Sequence, residues 1–228
     1  IVVNYRTDYK ANAVVENYSA YPRHKDIADE QKLSMQNIIS LRMMKRPSGI
    51  TIKEEEYKKL VSPSTPEEKF EAAACLTSMR VEMNHNIKAR IILGGRLFGY
   101  QGILPGLVEE VLLALKSEAP VAVYVLGGFG GCAKAITDAI QTGNATALTK
   151  ETQFANSEGY EEFYNYYNEH ADAENKIDYS NIVKYLHDGG TAALRNGLTE
   201  EENKILFSDT DVLEMVGLIL KGLGTLQQ

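Results

Sequence analysis

Two runs of consecutive apolar residues in the middle of the chain predict buried strands. Residues 91–93 read IIL and residues 121–126 read VAVYVL, so neither run alternates with polar positions. Continuous runs of this kind are typical of parallel strands that helices cover on both faces. Nearer the N-terminus, residues 1–5 and 12–21 are rich in β-branched and aromatic side chains, which predicts two further strands.

Helical periodicity and capping signals predict helices between and after these strands. The clearest start is Thr65 as an N-cap, with Pro66 in the first helical position and acidic residues directly after it. Residues 47–66 predict a loop with a short helix. Because no strand is predicted after residue 156, we expect one domain over 1–228, with an α/β core over 1–156 and a helical extension over 157–228. Helices are predicted over residues 26–41, 66–86, 105–116, from about 131, and over 158–170, 178–187, 199–207 and 210–221.

Each of the two buried runs is followed by a glycine pair and then by a helix. Gly94 and Gly95 follow the first run, and Gly127 and Gly128 follow the second. The order strand, loop, helix predicts a fold of the α/β class, a Rossmann-like parallel sheet flanked by helices. In such sheets the loops at the carboxyl ends of the strands meet where ligands bind, and helix N-termini there favour anions. A nucleotide site is therefore expected, with simple turn glycines as the alternative.

Three kinds of side chain near these loops suit a nucleotide, and each has a structural alternative. The Arg96 guanidinium can form bidentate hydrogen bonds with phosphate oxygens, or Arg96 can be an exposed surface residue. Glu109 and Glu110 can bind ribose hydroxyls, or their charges can simply stabilise the N-terminal end of the helix through its dipole. Phe129 can stack on a base or anchor its loop. The complete predicted ligand-binding set is Gly94, Gly95, Arg96, Gly102, Pro105, Gly106, Glu109, Gly127, Gly128, Phe129 and Gly130.

Composition narrows the possible partners. With 24 Lys and Arg against 31 Asp and Glu the net charge is −7, which argues against long nucleic acid as a partner. Cys75 and Cys132 are far apart and outside any metal-binding spacing, so we expect no metal and a reducing, cytoplasmic location. The sequence shows no apolar run long enough for a membrane span and no signal peptide. The absence of GxGxxG disfavours a dinucleotide cofactor bound as in dehydrogenases.

At five stretches the sequence resembles SLOG domains, the Rossmann-like relatives of LOG enzymes and of Smf/DprA proteins. It is most similar to the branch associated with TIR and purine nucleoside phosphorylase effectors. The most specific part is the series LGGR, PGxxEE and GGFGG. The matching stretches, in the family's order, are residues 17–24, 76–84, 89–110, 123–131 and 196–203.

This resemblance implies a sensor for a nucleotide-derived second messenger, either a cyclic oligonucleotide or a molecule of the cyclic ADP-ribose type. The messenger would drive homo-oligomerisation and so activate a TIR or nucleosidase effector fused upstream, in bacterial antiphage defence. Because the chain opens on Ile1 without an initiator Met, we expect it to be part of a longer protein. On this interpretation the chain has no catalytic residues and no cofactor, and the backbone of the two glycine pairs lines the site.

Two other functions stay open. One is a LOG-like hydrolase of the nucleotide N-glycosidic bond that uses Glu109 and Arg96. LOG enzymes carry a PGGxGTxxE loop, however, whereas here Pro105-Gly106 continues to Glu109 without the second glycine pair or the threonine, which argues against that activity. The other is a purely structural oligomerisation domain, which predicts that no nucleotide stabilises the chain.

Overall fold

The computed structural model describes residues 15–35, 39–119 and 121–226. The strand predicted over residues 1–5 and the start of the one predicted over 12–21 lie outside the described residues. The chain divides into two compact units, Ile1–Met83 and Asn84–Gln228. The expected single-domain organisation stays a prediction.

Helices dominate the structure, and its strands are short and parallel. The strands are β1 (Val15–Ser19), β2 (Ile39–Met43), β3 (Ala89–Leu93) and β4 (Ala122–Leu126). The fold is α/β, with parallel sheets flanked by helices and a helical C-terminal part, as predicted. The helices are α1 (Asp29–Met35), α2 (Lys58–Val61), α3 (Pro66–Asn86), α4 (Gly106–Lys116), α5 (Gly131–Thr142), α6 (Lys150–Asn156), α7 (Tyr160–His170), α8 (Tyr179–Gly189), α9 (Glu200–Ser208) and α10 (Val212–Thr225).

In the first unit, β1 and β2 form a parallel pair that runs from Val15 opposite Ile39 to Ser19 opposite Met43. The helix predicted over residues 26–41 is wrong at its C-terminal end, because residues 39–41 belong to β2. Ile39 and Leu41 fit a helical or an extended pattern equally well, and pairing with β1 decides between them. Strand formation here therefore depends on a tertiary contact.

The start of α3 confirms Thr65 as an N-cap. The Thr65 hydroxyl accepts the N–H of Glu68 at 3.3 Å, and the Glu68 carboxylate accepts the N–H of Thr65 at 3.3 Å. These two bonds form a reciprocal capping box. The 3₁₀ turn Glu54–Glu56 and helix α2 likewise confirm the prediction of a loop with a short helix over residues 47–66.

Removing this cap is expected to destabilise the protein modestly. A Thr65→Ala change should lower the free energy of unfolding by about 1 kcal/mol, because it leaves an N–H at the helix start without its acceptor. Urea denaturation monitored by circular dichroism measures the change. Thr65→Ser keeps the hydroxyl and should stay close to the parent, and equal losses in the two variants would contradict the capping role.

In the second unit, β3 and β4 pair in parallel from Ala89 opposite Ala122 to Leu93 opposite Leu126. All residues of β4 are buried, as predicted. The prediction is wrong for β3, since Ile91 and Leu93 are 55% and 52% exposed. An apolar run permits burial on both faces, but within the described part of the chain β3 is covered on one face only.

The helical C-terminal part packs onto β4 through buried polar groups. Asn196 donates from Nδ2 to the Val123 carbonyl at 2.9 Å, and the Tyr124 hydroxyl donates to the Asn196 carbonyl at 2.8 Å. Asn196 also donates to Oδ1 of Asn203 in α9 at 2.8 Å. Because buried polar groups are costly when unpaired, these bonds specify how the helices sit on the strand.

Candidate functional site

The glycine loops that follow β3 and β4 lie against each other. The carbonyls of Gly94 and Gly95 accept the N–H groups of Ala133 and Cys132 at 2.9 and 3.1 Å. A Cβ placed on Gly131 would lie 2.4 Å from the Gly95 carbonyl oxygen, so the two backbones touch where only glycine fits. The ends of the two parallel strands therefore converge, as their order in the sequence predicts.

This contact occupies part of the anion-binding end of α5. Cys132 and Ala133 donate to the first glycine loop, and Gly130 donates to the Gly127 carbonyl at 2.9 Å. Within the described part of the chain, the N–H groups of Gly128 and Gly131 have no acceptor. The helix dipole still favours an anion at this end, but few amides are left to bind it.

The second glycine pair is packed beneath the end of α9. A Cβ on Gly127 would lie 2.4 Å from the Phe207 carbonyl oxygen, and one on Gly128 would lie 2.1 Å from that of Asp209. Gly127 is buried, whereas Gly128 is exposed on its other side. Glycine at these two positions is therefore required by packing within the protein, whether or not a ligand also approaches.

The predicted side chains do not all reach the same surface. Arg96 is exposed, and its Nη1 donates to the carbonyl of Gly99 in its own loop at 3.3 Å. Phe129 is 46% exposed in the 3₁₀ turn Gly127–Phe129. Glu109 is only 2% exposed, and it lies near Tyr167, whose pKa is raised by burial and by the Glu109 charge.

The structure thus separates the predicted set by exposure, with Gly127 among the buried members. Gly102 and Pro105 are buried in the loop before α4, and Gly106 is half-buried at the start of that helix. Glu109, in the first turn of α4, is buried as well. The exposed or half-buried members in the two glycine loops are Gly94, Gly95, Arg96, Gly128, Phe129 and Gly130.

A buried tyrosine network, which the sequence analysis did not identify, holds the loop between β3 and α4. Tyr160 donates to the Ile103 carbonyl at 3.0 Å, and its hydroxyl lies 2.6 Å from that of Tyr179, which lies 3.0 Å from that of Tyr100. Burial raises the pKa of Tyr179 to about 12 and raises the pKa values of the other two further. All three phenols therefore stay protonated, and they bind the loop as neutral hydrogen-bonding groups.

A cleft of about 650 Å³ opens beside the glycine loops. Its volume lies within the range of small-molecule sites. The cleft runs along one face of α5 and meets the glycine loops at Gly131. Its lining residues are Leu97, Gly131, Lys134, Ala135, Asp138, Thr142, Asn144, Ala145, Thr146 and Ala147.

Lys134 supplies a positive charge to this cleft, although no sequence motif indicated it. A lysine in the first turn of a helix opposes the helix dipole, and this misplaced charge after Gly130-Gly131 is the signal that could have revealed it. In the structure Lys134 forms an ion pair with Asp138, one turn further along α5. The pair leaves ammonium N–H groups that can bind an anion at the mouth of the cleft.

An acidic turn that begins at Asp209 lies against Gly128. The Asp209 carboxylate accepts the N–H groups of Thr210 and Asp211 at 2.6 and 3.0 Å, and these bonds lower its pKa. A hydrogen bond with Asp209 raises the pKa of Glu214. Carboxylates here repel a phosphate, so the electrostatics favour the side of Gly131 and Lys134.

No group of three or more histidine, cysteine or acidic side chains in residues 15–35, 39–119 and 121–226 is arranged to hold a metal ion. None of the described helices is long and apolar enough to cross a membrane.

Comparison with known proteins identifies the family of the chain. A family model described as SLOG cluster2 matches residues 1–206. The matched residues contain both glycine loops and the whole cleft, and they end before α10. Searches of curated proteins and of solved structures found no match to the chain.

Proposed function

The chain belongs to the SLOG family, and from this premise we propose that it is a sensor domain that binds a nucleotide-derived second messenger. Family membership suggests a nucleotide-related sensor or a LOG-like role. In our proposal the messenger is a cyclic oligonucleotide or a molecule of the cyclic ADP-ribose type. Its binding promotes assembly of the chain and activates an effector fused upstream, a TIR or nucleosidase domain, as the resemblance to that branch implies.

The observation that carries this proposal is the contact between Gly131 and the Gly94-Gly95 loop at the mouth of the cleft. A phosphate placed there meets the N–H of Gly131, the positive end of α5 and the ammonium of Lys134. The nucleoside then extends along α5 toward Asn144. Leu97 and Ala135 supply an apolar surface for the base, and Asn144 and Thr146 supply polar groups.

The placement of the acidic residues favours binding over hydrolysis. A LOG-like hydrolase needs a carboxylate that reaches the sugar, but Glu109 is buried and is not part of the cleft lining. Asp138 does line the cleft, yet it is paired with Lys134. Arg96, the other residue of the hydrolase hypothesis, bonds to its own loop. These positions support a domain that holds a nucleotide without cleaving it.

A thermal-shift screen tests the proposal. The full chain would be heated with purine mononucleotides, cyclic di- and trinucleotides and cyclic ADP-ribose isomers. A nucleotide at a hundredfold excess over its Kd should stabilise the protein by about 2.7 kcal/mol, a clear rise in Tm. If no nucleotide shifts Tm, the structural oligomerisation domain becomes the better explanation. If the bound nucleotide releases free base on incubation, the hydrolase hypothesis replaces the sensor.

A further inference from the structure

Helix α10 is apolar on two different faces. Met215 and Ile219 are buried against the protein, while Leu213 is 84% exposed and Leu220 is 63% exposed. A helix on the surface of a globular protein normally has one apolar face, and contiguous exposed apolar surface marks interaction sites. The exposed residues share helical spacing and form one surface, the α10 stripe, made of Val212, Leu213, Val216, Gly217, Leu220 and Gly224.

Gly217 and Gly224 have no side chain, so one edge of the α10 stripe lies close to the helix backbone. A Cβ on Gly217 or Gly224 would meet nothing within 4 Å. Packing inside the chain therefore does not require glycine at either position. A low edge lets a second helix approach to the short interaxial distances of close-packed helices. Leucine and valine side chains beside this edge can interdigitate with those of a partner helix.

The charges along the same edge are self-complementary in one orientation only. Glu214 and Lys221 lie two helical turns apart beside the glycines. If two copies of α10 pair antiparallel, with Val216 facing Leu220 of the second copy, each Glu214 faces a Lys221. In a parallel pair the two-fold axis runs along the helices, so the glycine edges of the two copies lie on opposite sides of the contact and Glu214 meets no Lys221. Lys221 also contacts Glu202 of its own chain, and its three N–H donors suffice for both carboxylates.

We propose that two copies of this chain associate through the α10 stripe as an antiparallel helix pair related by a two-fold axis. Two-fold pairing uses the same surface on both copies and buries both stripes at once. The inference deepens the proposed function, because it identifies the surface through which assembly occurs. Only the regulation of that assembly by nucleotide rests on the proposed function.

The start of α10 is in direct contact with the glycine loops. The Asp209 backbone lies against Gly128, where a Cβ would be 2.1 Å from the Asp209 carbonyl oxygen. Two residues later, the Asp211 carboxylate caps α10 by accepting the N–H groups of Leu213 and Glu214 at 2.9 and 3.2 Å. This contact is the route by which a nucleotide bound at the neighbouring Gly131 would displace the end of the α10 stripe and so couple binding to assembly.

Sedimentation velocity of the full chain without nucleotide tests the association. The protein should be dimeric at high concentration and dissociate on dilution. Leu213→Glu and Leu220→Glu should each raise the dimer Kd at least tenfold, because they place a carboxylate in the apolar contact. Both residues are exposed, so the folded monomer should keep its circular dichroism spectrum and Tm.

Leu33→Glu is the matched control, since Leu33 is an exposed leucine of α1, 61% exposed. This variant should dimerise like the parent. A parent chain that stays monomeric at every concentration overturns the proposal. So does a dimer that Leu213→Glu and Leu220→Glu leave intact, because another surface then forms it.

Disulfide cross-linking tests the orientation of the pair. A Val216→Cys chain mixed with a Leu220→Cys chain carrying a mass tag should form the mixed disulfide on oxidation. A parallel pair would instead link Val216→Cys to itself, which would overturn the antiparallel arrangement. The native Cys75 and Cys132 are buried, and burial raises the pKa of each to about 11, so they compete little.

A charge reversal gives a second test of orientation. Lys221→Glu should weaken the dimer, and adding Glu214→Lys should restore it. If the double variant is no better than the single one, the two charges do not face each other and the antiparallel register is wrong.

The outcomes separate this inference from the sensor function. If the chain dimerises through the α10 stripe but no nucleotide stabilises it, the interface is supported and the sensor function is contradicted. If the chain stays monomeric but a nucleotide stabilises it, the sensor function is supported and the interface is contradicted.

Discussion

A Gly131→Ala variant is expected to lose about 2–5 kcal/mol of unfolding free energy. Gly131 has a φ of +65°, a backbone conformation that side chains disfavour, and an added Cβ would lie 2.4 Å from the Gly95 carbonyl oxygen. The Gly95 carbonyl and the Gly131 Cα both belong to the backbone. Relieving the contact would therefore separate the loop after β3 from the start of α5. Urea denaturation of parent and variant measures the loss directly.

Gly94→Ala is the matched control for this prediction. Gly94 has a φ of +59°, close to that of Gly131, but a Cβ there would meet nothing within 4 Å. It should therefore cost only the conformational strain, about 1 kcal/mol. Equal losses in the two variants would mean that strain alone explains Gly131 and that the contact between the loops contributes nothing. A Gly131→Ala variant as stable as the parent would contradict the observed geometry.

A Lys134→Glu variant is expected to bind its nucleotide about 100-fold more weakly than the parent. The change removes a charge-assisted hydrogen bond to the phosphate, which is worth about 1.5–3 kcal/mol, and puts a repelling carboxylate in its place. Because Lys134 is exposed on α5, the fold should be retained. Isothermal titration calorimetry with the nucleotide that gives the largest thermal shift measures the difference.

Lys184→Glu is the control for that measurement. Lys184 and Asp188 form an exposed ion pair with the same i, i+4 spacing as Lys134 and Asp138, but on α8 and outside the cleft lining. This variant changes the net charge equally and should leave nucleotide affinity within a factor of two or so of the parent. If both variants weaken binding alike, the effect comes from net charge. If neither does, the phosphate lies elsewhere.

The candidate site could be predicted in part from the residue order. Glycine pairs directly after two buried runs indicate that two strand ends meet, and the contact of Gly131 with Gly95 agrees with this. The pattern could not reveal that Cys132 and Ala133 donate to the glycine carbonyls, because those bonds depend on the distance between two loops. For the same reason the pattern overestimated the number of amides available to a ligand.

Side-chain roles were harder to predict than backbone roles. Glu109 suits either a ribose ligand or the dipole at the start of its helix, and the packing of α4 buries it. Lys134 satisfies no motif, yet the packing of α5 against residues 144–147 places it in the cleft. Whether a side chain faces a site depends on the rotation of its helix, which is set by contacts with distant segments.

By itself, the sequence determined those features that depend on neighbouring residues. They include the cap at Thr65, the order strand, glycine loop and helix, the parallel α/β class and the helices after residue 156. These are encoded by periodicity, capping and turn preferences, which act over a few residues. The family resemblance also depends on such local stretches.

Only the tertiary structure decided which surfaces are covered. Residues 39–41 form a strand because they pair with β1, and Ile91 and Leu93 are exposed. Asp209 packs against Gly128, and the residues of the α10 stripe are exposed. An apolar residue gains stability from burial against any partner, so its position in the sequence does not say which partner covers it. That choice belongs to contacts between segments far apart in the chain.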